Sequence, residues 1–201
     1  MEKKSRPELK RLKISCSTSD CANGLHCFRQ SKRLANQRPA GSCQACGAQL
    51  VDWARVRERR LGDAEYMFEA LQHEWIRHYF FHLRMEQRAI NYARRKGKDG
   101  LADSVGKHIH NSVGDAEPFY DGHQTPMGGN NPINYAQHAT ASCCRRCIEE
   151  WHGIPMGRAL TAEEIQYLTE LALRYLNYRL PDLTKSGEKV PAIRRRKRSA
   201  A

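Results

Sequence analysis

No stretch of this sequence approaches the roughly 18 consecutive apolar residues that a membrane-spanning helix needs, so no membrane span is expected. The opening residues, MEKKSRPELKRLK, also lack the apolar segment of a secretory signal. The expected setting is therefore the cytoplasm, where thiols stay reduced and cysteines serve metals rather than disulfides. Nucleotide-binding fingerprints are missing as well. There is no Walker loop, no Rossmann glycine pattern and no Gly-x-Ser-x-Gly elbow, which removes the commonest phosphate-cradling and acyl-transfer frameworks. The zinc-deaminase arrangement, His-x-Glu followed by Pro-Cys-x-x-Cys, fails at both halves. Internal repeats are absent too.

What the chain does have is cysteine, histidine and positive charge. Its 201 residues include eight cysteines and nine histidines, and the formal net charge is +12. Most of that charge sits at the two ends, with +4 in residues 1–13 and +6 in residues 185–201. Arg94, Arg95 and Lys96 add a basic run inside the chain, and Arg194, Arg195, Arg196, Lys197 and Arg198 close it. Clusters of this sign point to a polyanion, DNA or RNA, as partner.

The densest chemistry lies between Glu117 and Pro155, which holds Cys143, Cys144, Cys147, His123, His138 and His152. Thiolate and imidazole are the donors that Zn²⁺ selects. Cys144 and Cys147 are spaced to share one ion, His152 follows as a third ligand, and His138 or Cys143 can close a tetrahedron. A second set precedes it: Cys16, Cys21, Cys27, then Cys43-x-x-Cys46-Gly47. The Cys-x-x-Cys-Gly unit has the shape of a zinc knuckle, because glycine lets the backbone turn its amides toward the sulfurs. Cys16 and Cys21 are the favoured partners of Cys43 and Cys46, with Cys27 as alternate and His26 as a weaker candidate. Glu74, His78 and His82, spaced by four, would line one helical face as a third possible ligand set.

Hydrophobic periodicity predicts helix through residues 63–96, as one rod or as two joined near Met85, and again over 101–113 and 133–151. Thr161-Ala-Glu-Glu164 is a capping box that opens a last helix ending at Pro181. The expected organisation is a basic arm (1–13), a zinc-ribbon-like module (14–60), a mainly helical Cys/His domain (61–183) and a disordered basic tail (184–201). The expected fold is mainly α with a small β-rich module in front (α+β).

The run YAQHATASCCRRCIEEWHGIP resembles the core of a bacterial family known only as a domain of unknown function, whose members carry AQHATATCC-x-x-C followed by WH. The likeness extends to Cys43-Gln-Ala-Cys46-Gly-x-x-Leu50-Val51-Asp52-Trp53 and to Ile76-Arg77-His78. It implies membership and no activity. Three functions follow from the residues. The first is a zinc-binding, nucleic-acid-associated module. The second is a metal-dependent nuclease similar to the HNH type, in which Asp121-Gly122-His123 and the Gly128-Gly129 turn would place His123 as general base beside Mg²⁺ or Mn²⁺. Gly122 between Asp121 and His123 departs from that pattern. The third is a protein-interaction scaffold.

Overall fold

The structure is a computed structural model that describes residues 15–29, 37–118, 125–191 and 193. Among the described residues seven α-helices follow one another: α1 (Trp53–Glu58), α2 (Ala64–Leu71), α3 (Trp75–His82), α4 (Gln87–Val113), α5 (Pro132–Ala139), α6 (Arg145–His152) and α7 (Ala162–Arg179). The last of these is the axis of the core. Tyr167, Leu168, Leu171, Ala172, Tyr175 and Leu176 are buried at helical spacing, so one stripe of α7 faces α2, α4 and α5. Its start is the expected capping box: Thr161 accepts from the Glu164 amide, and Glu164 accepts from the Thr161 amide.

Near its other end, α7 also terminates α3. The final carbonyls of a helix have no partner within it. Those of Phe80, Phe81 and Leu83 receive the Arg179 guanidinium at 3.1, 2.7 and 2.7 Å. The Tyr175 hydroxyl donates to Phe80 as well, at 2.8 Å.

The expected β-rich module is not there. Among the described residues there is no β-strand, only two isolated bridges, Asp20 with Leu25 and His26 with Glu74. The physical reason lies in where the backbone groups go. Asp20 and Leu25 exchange both hydrogen bonds around a single 3-10 turn, Cys21–Asn23, which Gly24 ends in the left-handed region at φ 73°. The next residue cannot extend that pair into a ladder, because the His26 amide donates to His73 O and the His26 carbonyl accepts from the Trp75 amide, both at 2.8 Å. The described part of the front, residues 15–29 and 37–52, is thus irregular loop tied to the helices, not a ribbon.

The same pairing explains why residues 63–96 are broken once more than the expected one rod, or two joined near Met85. They contain no glycine or proline, yet α2 stops at Leu71 and Glu74 is extended (φ −88°, ψ 128°). The His73–Trp75 backbone is taken by His26 instead. A second break, at Leu83–Glu86, falls near Met85 as expected. Asp63 does not cap α2 through its side chain, which pairs with Arg55.

Further on, α4 runs through the basic run Arg94, Arg95 and Lys96 and kinks at Gly97 (φ 65°, ψ −179°), a conformation essentially reserved for glycine. Residues 184–188 lie along this kink. Lys98 N donates to Thr184 O, Asp99 N to Lys185 O, and Glu188 N to Arg94 O. A Cβ on Gly97 would come within 2.5 Å of the Ser186 carbonyl carbon. Gly97→Ala should therefore cost about 1–3 kcal/mol in strain alone. It should also release residues 184–188, read as faster tryptic cleavage after Lys185 alongside a lower denaturation midpoint. An unchanged cleavage rate would show that the kink does not hold this segment.

Candidate metal centres

Among the described residues two groups of ligand atoms come together, each with its atoms within 4.8 Å of one another: Cys21, His26, Cys43 and Cys46, and Cys143, Cys144 and Cys147. Either group can hold a metal ion.

The first centre sits in the loops at the front. Cys21 opens the 3-10 turn, and His26 lies on the segment pinned to residues 73–75. Cys43 and Cys46 come from a knuckle in which the Gly47 amide donates to Cys43 O and the Cys43 amide to Ala48 O, both at 2.9 Å. Gly47 has φ 81°, which the turn demands. A zinc–sulfur bond of about 2.3 Å implies tetrahedral sulfur–sulfur edges of about 3.8 Å, and a sulfur–nitrogen edge of about 3.6 Å. The Cys21 and Cys43 sulfurs are 3.7 Å apart, and the Cys46 sulfur is 3.4 Å from His26 Nδ1. The donor set fits the ion.

The electrostatics agree. Burial pushes the Cys43 thiol up, but the amides of Cys46, Cys27 and Ala45 and the His26 ring hydrogen-bond its sulfur and bring it down to about 6. Cys21, half-buried and hydrogen-bonded to Cys46 and Cys43, is pushed up to about 11 by partial burial and those neighbours. Arg38 donates to the knuckle carbonyls of Cys43 and Gln44 at 2.9 and 3.0 Å, locking the turn from outside.

The second centre is deeper. Ala141 takes a left-handed conformation (φ 53°) after α5, and the chain then enters α6 with Cys144 as N-cap. The Cys144 sulfur accepts from the Cys147 amide at 3.4 Å, so Cys144 stands in the loop rather than one turn back on a helix, as the sequence suggested. A helix N-terminus favours negative charge on such a group.

Arg77 faces these sulfurs, with almost no exposure. Its Nη2 lies 3.3 Å from Cys147 Sγ and its Nη1 4.0 Å from Cys143 Sγ, while Nε pairs with Glu74 at 3.0 Å. The same guanidinium donates to the His138 carbonyl. Glu74 accepts a further bond from Trp151 Nε1 at 2.7 Å. Cys147 is held well below the ordinary thiol range, first by hydrogen bonds from Cys143, Cys144 and Cys16, then by Arg77 against the opposing effect of burial. Cys143 is pushed well above that range by its hydrogen bonds to Cys144 and Cys147 and by burial. Nothing in the sequence marked Arg77 as part of a site. An arginine at helical spacing reads as a surface charge until its partners are known.

Several expected ligands are elsewhere. Cys16 is not in the first set; His26 takes that place. The Cys27 sulfur turns to backbone carbonyls, Cys16 O at 3.1 Å and Arg29 O at 3.9 Å. His138 stacks on Phe80 with centroids 4.4 Å apart, and its Nε2 donates to Thr125 O. His152 is fully buried with both nitrogens engaged: Nε2 donates to Thr140 O at 3.0 Å, and Nδ1 accepts from the Tyr167 hydroxyl at 3.2 Å. It is a core residue, not a ligand. Glu74, His78 and His82 do not form a set either. Glu74 precedes α3 and points into the core, whereas the rings of His78 and His82 pair on the outside at 4.1 Å. His123 and Arg194, Arg195, Arg196, Lys197 and Arg198 lie outside the described residues. No helix among the described residues is long and apolar enough to cross a membrane.

Residues 65–177 match the family described as a domain of unknown function, DUF4186, and with more than half its length matched the chain belongs to that family. The match takes in Ile76-Arg77-His78 and the Tyr135–Pro155 run, while the Cys43–Trp53 stretch falls before it. No solved structure matches the chain.

Burial lowers the His152 ring to about 4, against the Thr140 carbonyl, which favours the charged form. A histidine ordinarily titrates near 6.5. The folded chain therefore prefers the neutral ring. This stabilisation is complete above about 6.5 and is lost as pH falls toward 4, roughly 3 kcal/mol in all. His152→Gln lacks the titration. The stability gap between wild type and His152→Gln, measured by denaturant unfolding, should shrink by about that amount between pH 7 and pH 4. A constant gap would mean that the ring is not held neutral.

Proposed function

We propose, from membership of a family that brings no activity with it, that this is a zinc-binding, nucleic-acid-associated protein whose two Cys-rich centres are structural. The single observation behind the metal is the first centre: four soft or borderline donors within 4.8 Å of one another, two of the edges being near those of a zinc tetrahedron. Zinc supplies folding free energy there when bound. Cys21, His26, Cys43 and Cys46 would hold one ion. Cys143, Cys144 and Cys147 would hold the other, with Arg77 offsetting the negative charge of the thiolates.

A structural role suits both places. The loops at the front have no strand ladder and contribute few core side chains of their own, among them Phe28, Cys27 and Cys43. A segment so poor in core needs a staple.

Support for the polyanion partner is the surface around the α4 kink. Arg95, Lys96 and Lys98 are exposed, and residues 184–188 bring Lys185 beside them, with Lys189 next in the chain. Arg94 is exposed too but is paired with Glu188 at 2.7 Å. Basic side chains from two separate parts of the sequence thus share one surface, which the end-weighted charge of the sequence extends. Such a surface suits phosphate contacts that are blind to base sequence.

Two measurements test this reading. Cys46→Ala should lose one zinc equivalent by native mass spectrometry with elemental analysis, together with a loss of protease resistance at the front of the chain; full zinc content would remove the first centre. The triple variant Arg95→Gln, Lys96→Gln, Lys98→Gln should keep both zinc ions. Its log–log salt slope for duplex DNA should be shallower by about 2 to 3, at ~0.9 per phosphate contact. An absence of binding to DNA and RNA at low salt would sink the nucleic-acid half and favour the scaffold reading. Strand cleavage with Mg²⁺ or Mn²⁺ that His123→Ala abolishes would favour the nuclease.

A further inference from the structure

Residues four apart share one face of a helix, and on α3 this sets two pairs of rings side by side. Trp75 and Tyr79 are parallel, with an interplanar angle of 6° and centroids 5.9 Å apart, and the rings of His78 and His82 pair beside them. Trp75 and Tyr79 are half-buried rather than packed into the core. With Leu25 and Leu83 they line a cavity of about 390 Å³, the size of a small-molecule site. The other lining residues are His78, His82 and Arg84. Among the described residues, then, this cavity has a guanidinium and two imidazoles on its walls and no carboxylate.

The walls are fixed by the backbone. The Trp75 amide donates to the His26 carbonyl at 2.8 Å, so a residue of the first metal centre sets the start of α3, and Leu25 is its neighbour in the chain. His82 Nδ1 donates to the His78 carbonyl at 2.8 Å, which leaves Nε2 for a ligand. Arg84 also lines the next cavity, of about 610 Å³, together with Arg88 and Ile90. Ile90 in turn lines a third, of about 350 Å³, with Arg94. The three follow the first half of α4 from the aromatic pair toward the kink, a rise of about 15 Å from Gln87 to Gly97. The middle of this trough carries both signs, Arg84 and Arg88 with Glu86 and Asp182, and Arg94 is paired with Glu188. The excess of positive charge is at the kink, where Arg95, Lys96 and Lys98 are exposed.

We infer that the cavity beside Trp75 and Tyr79 takes an unpaired nucleobase, so that the polyanion met at the kink is single-stranded nucleic acid. This rests on the nucleic-acid reading above and names the form of partner it takes. In a duplex the faces of the bases are covered by their neighbours, whereas a single strand offers them to aromatic rings. The parallel pair extends such a stack, Arg84 carries positive charge to the cavity, and the kink supplies the phosphate contacts. Charge also decides between occupants. A cavity without carboxylates, joined by a trough to a group of exposed cations, suits a ring that is carried on an anionic chain better than the apolar side chain of a neutral partner.

The test uses the full zinc-supplemented chain at low salt with three labelled probes. These are a thymidine strand of about 12 nucleotides, within the footprint of single-strand binders, an abasic strand of the same length and charge, and a duplex of the same length. Wild type should bind the thymidine strand about 5- to 150-fold more tightly than the abasic one, the range for a single base–aromatic stack. Tyr79→Leu should close most of that gap with its duplex affinity unchanged, and Tyr79→Phe should keep the gap. The wild-type comparison needs no variant to fold, and zinc content checks the folding of Tyr79→Leu. Equal wild-type affinity for the two strands would overturn the inference and leave the phosphate contacts in place, as would a zinc-replete Tyr79→Leu chain with an undiminished gap. A dimer in sedimentation that Tyr79→Leu dissociates would assign the cavity to a second copy of the chain and overturn it as well. Binding to none of the three probes would overturn the nucleic-acid reading itself, and this inference with it.

Discussion

A buried guanidinium sets the terms for the rest of this molecule. Burying Arg77 without partners would be prohibitive, so every group near it is constrained to answer its charge. Glu74 answers from the turn before α3, Cys147 from the first turn of α6, and the His138 carbonyl from the end of α5. Three helices are thereby held at fixed distances by one side chain. Removing the arginine would strand a buried carboxylate whose neutral form burial already favours. Trp151 binds the same carboxylate and carries its ring into a cluster with Phe28 and Trp53, at centroid distances of 5.8 and 4.9 Å. The polar network and the aromatic cluster thus share an anchor.

This arrangement gives the front loops a surface on which to fold. Their backbone is satisfied at His26 by the His73–Trp75 break, and their apolar side chains rest on α6. Glu74 stands between the two ligand groups. Its main chain bridges to His26 of one, and its carboxylate reaches Cys147 of the other through Arg77. Strain or loss at either place has a short physical path to the other.

Much of this was legible, and the failures have physical causes. The Cys43-x-x-Cys46-Gly47 knuckle was visible because its geometry is local: two residues between sulfurs and a glycine that turns. The capping box at Thr161 and the break near Met85 were local too. Proximity in sequence pairs Cys16 with Cys21, Cys43 and Cys46, whereas the fold gives that place to His26. Spacing made His152 look like a ligand, but what decides its role is the pair of oxygens, Thr140 O and the Tyr167 hydroxyl, that occupy its two nitrogens. Glu74, His78 and His82 were placed on one helical face, which presumes a helix that the pairing with His26 breaks. The β-rich module failed for the same reason, since that segment bonds to the α2–α3 turn and not to itself. Family membership was readable from the Tyr135–Pro155 run.

The cluster of Phe28, Trp53 and Trp151 also bears on the order of events at the ribosome. Trp53 leaves the exit tunnel 98 residues before Trp151. At roughly 5–20 residues per second that is a delay of about 5 to 20 s, long against the time in which a short chain collapses. During the interval the indole of Trp53 and the ring of Phe28 have each other but not the face of α6 that later buries them. The front of the nascent chain therefore waits, apolar and unfinished, for a helix not yet made, and it is a natural client for chaperones that bind exposed aromatic side chains.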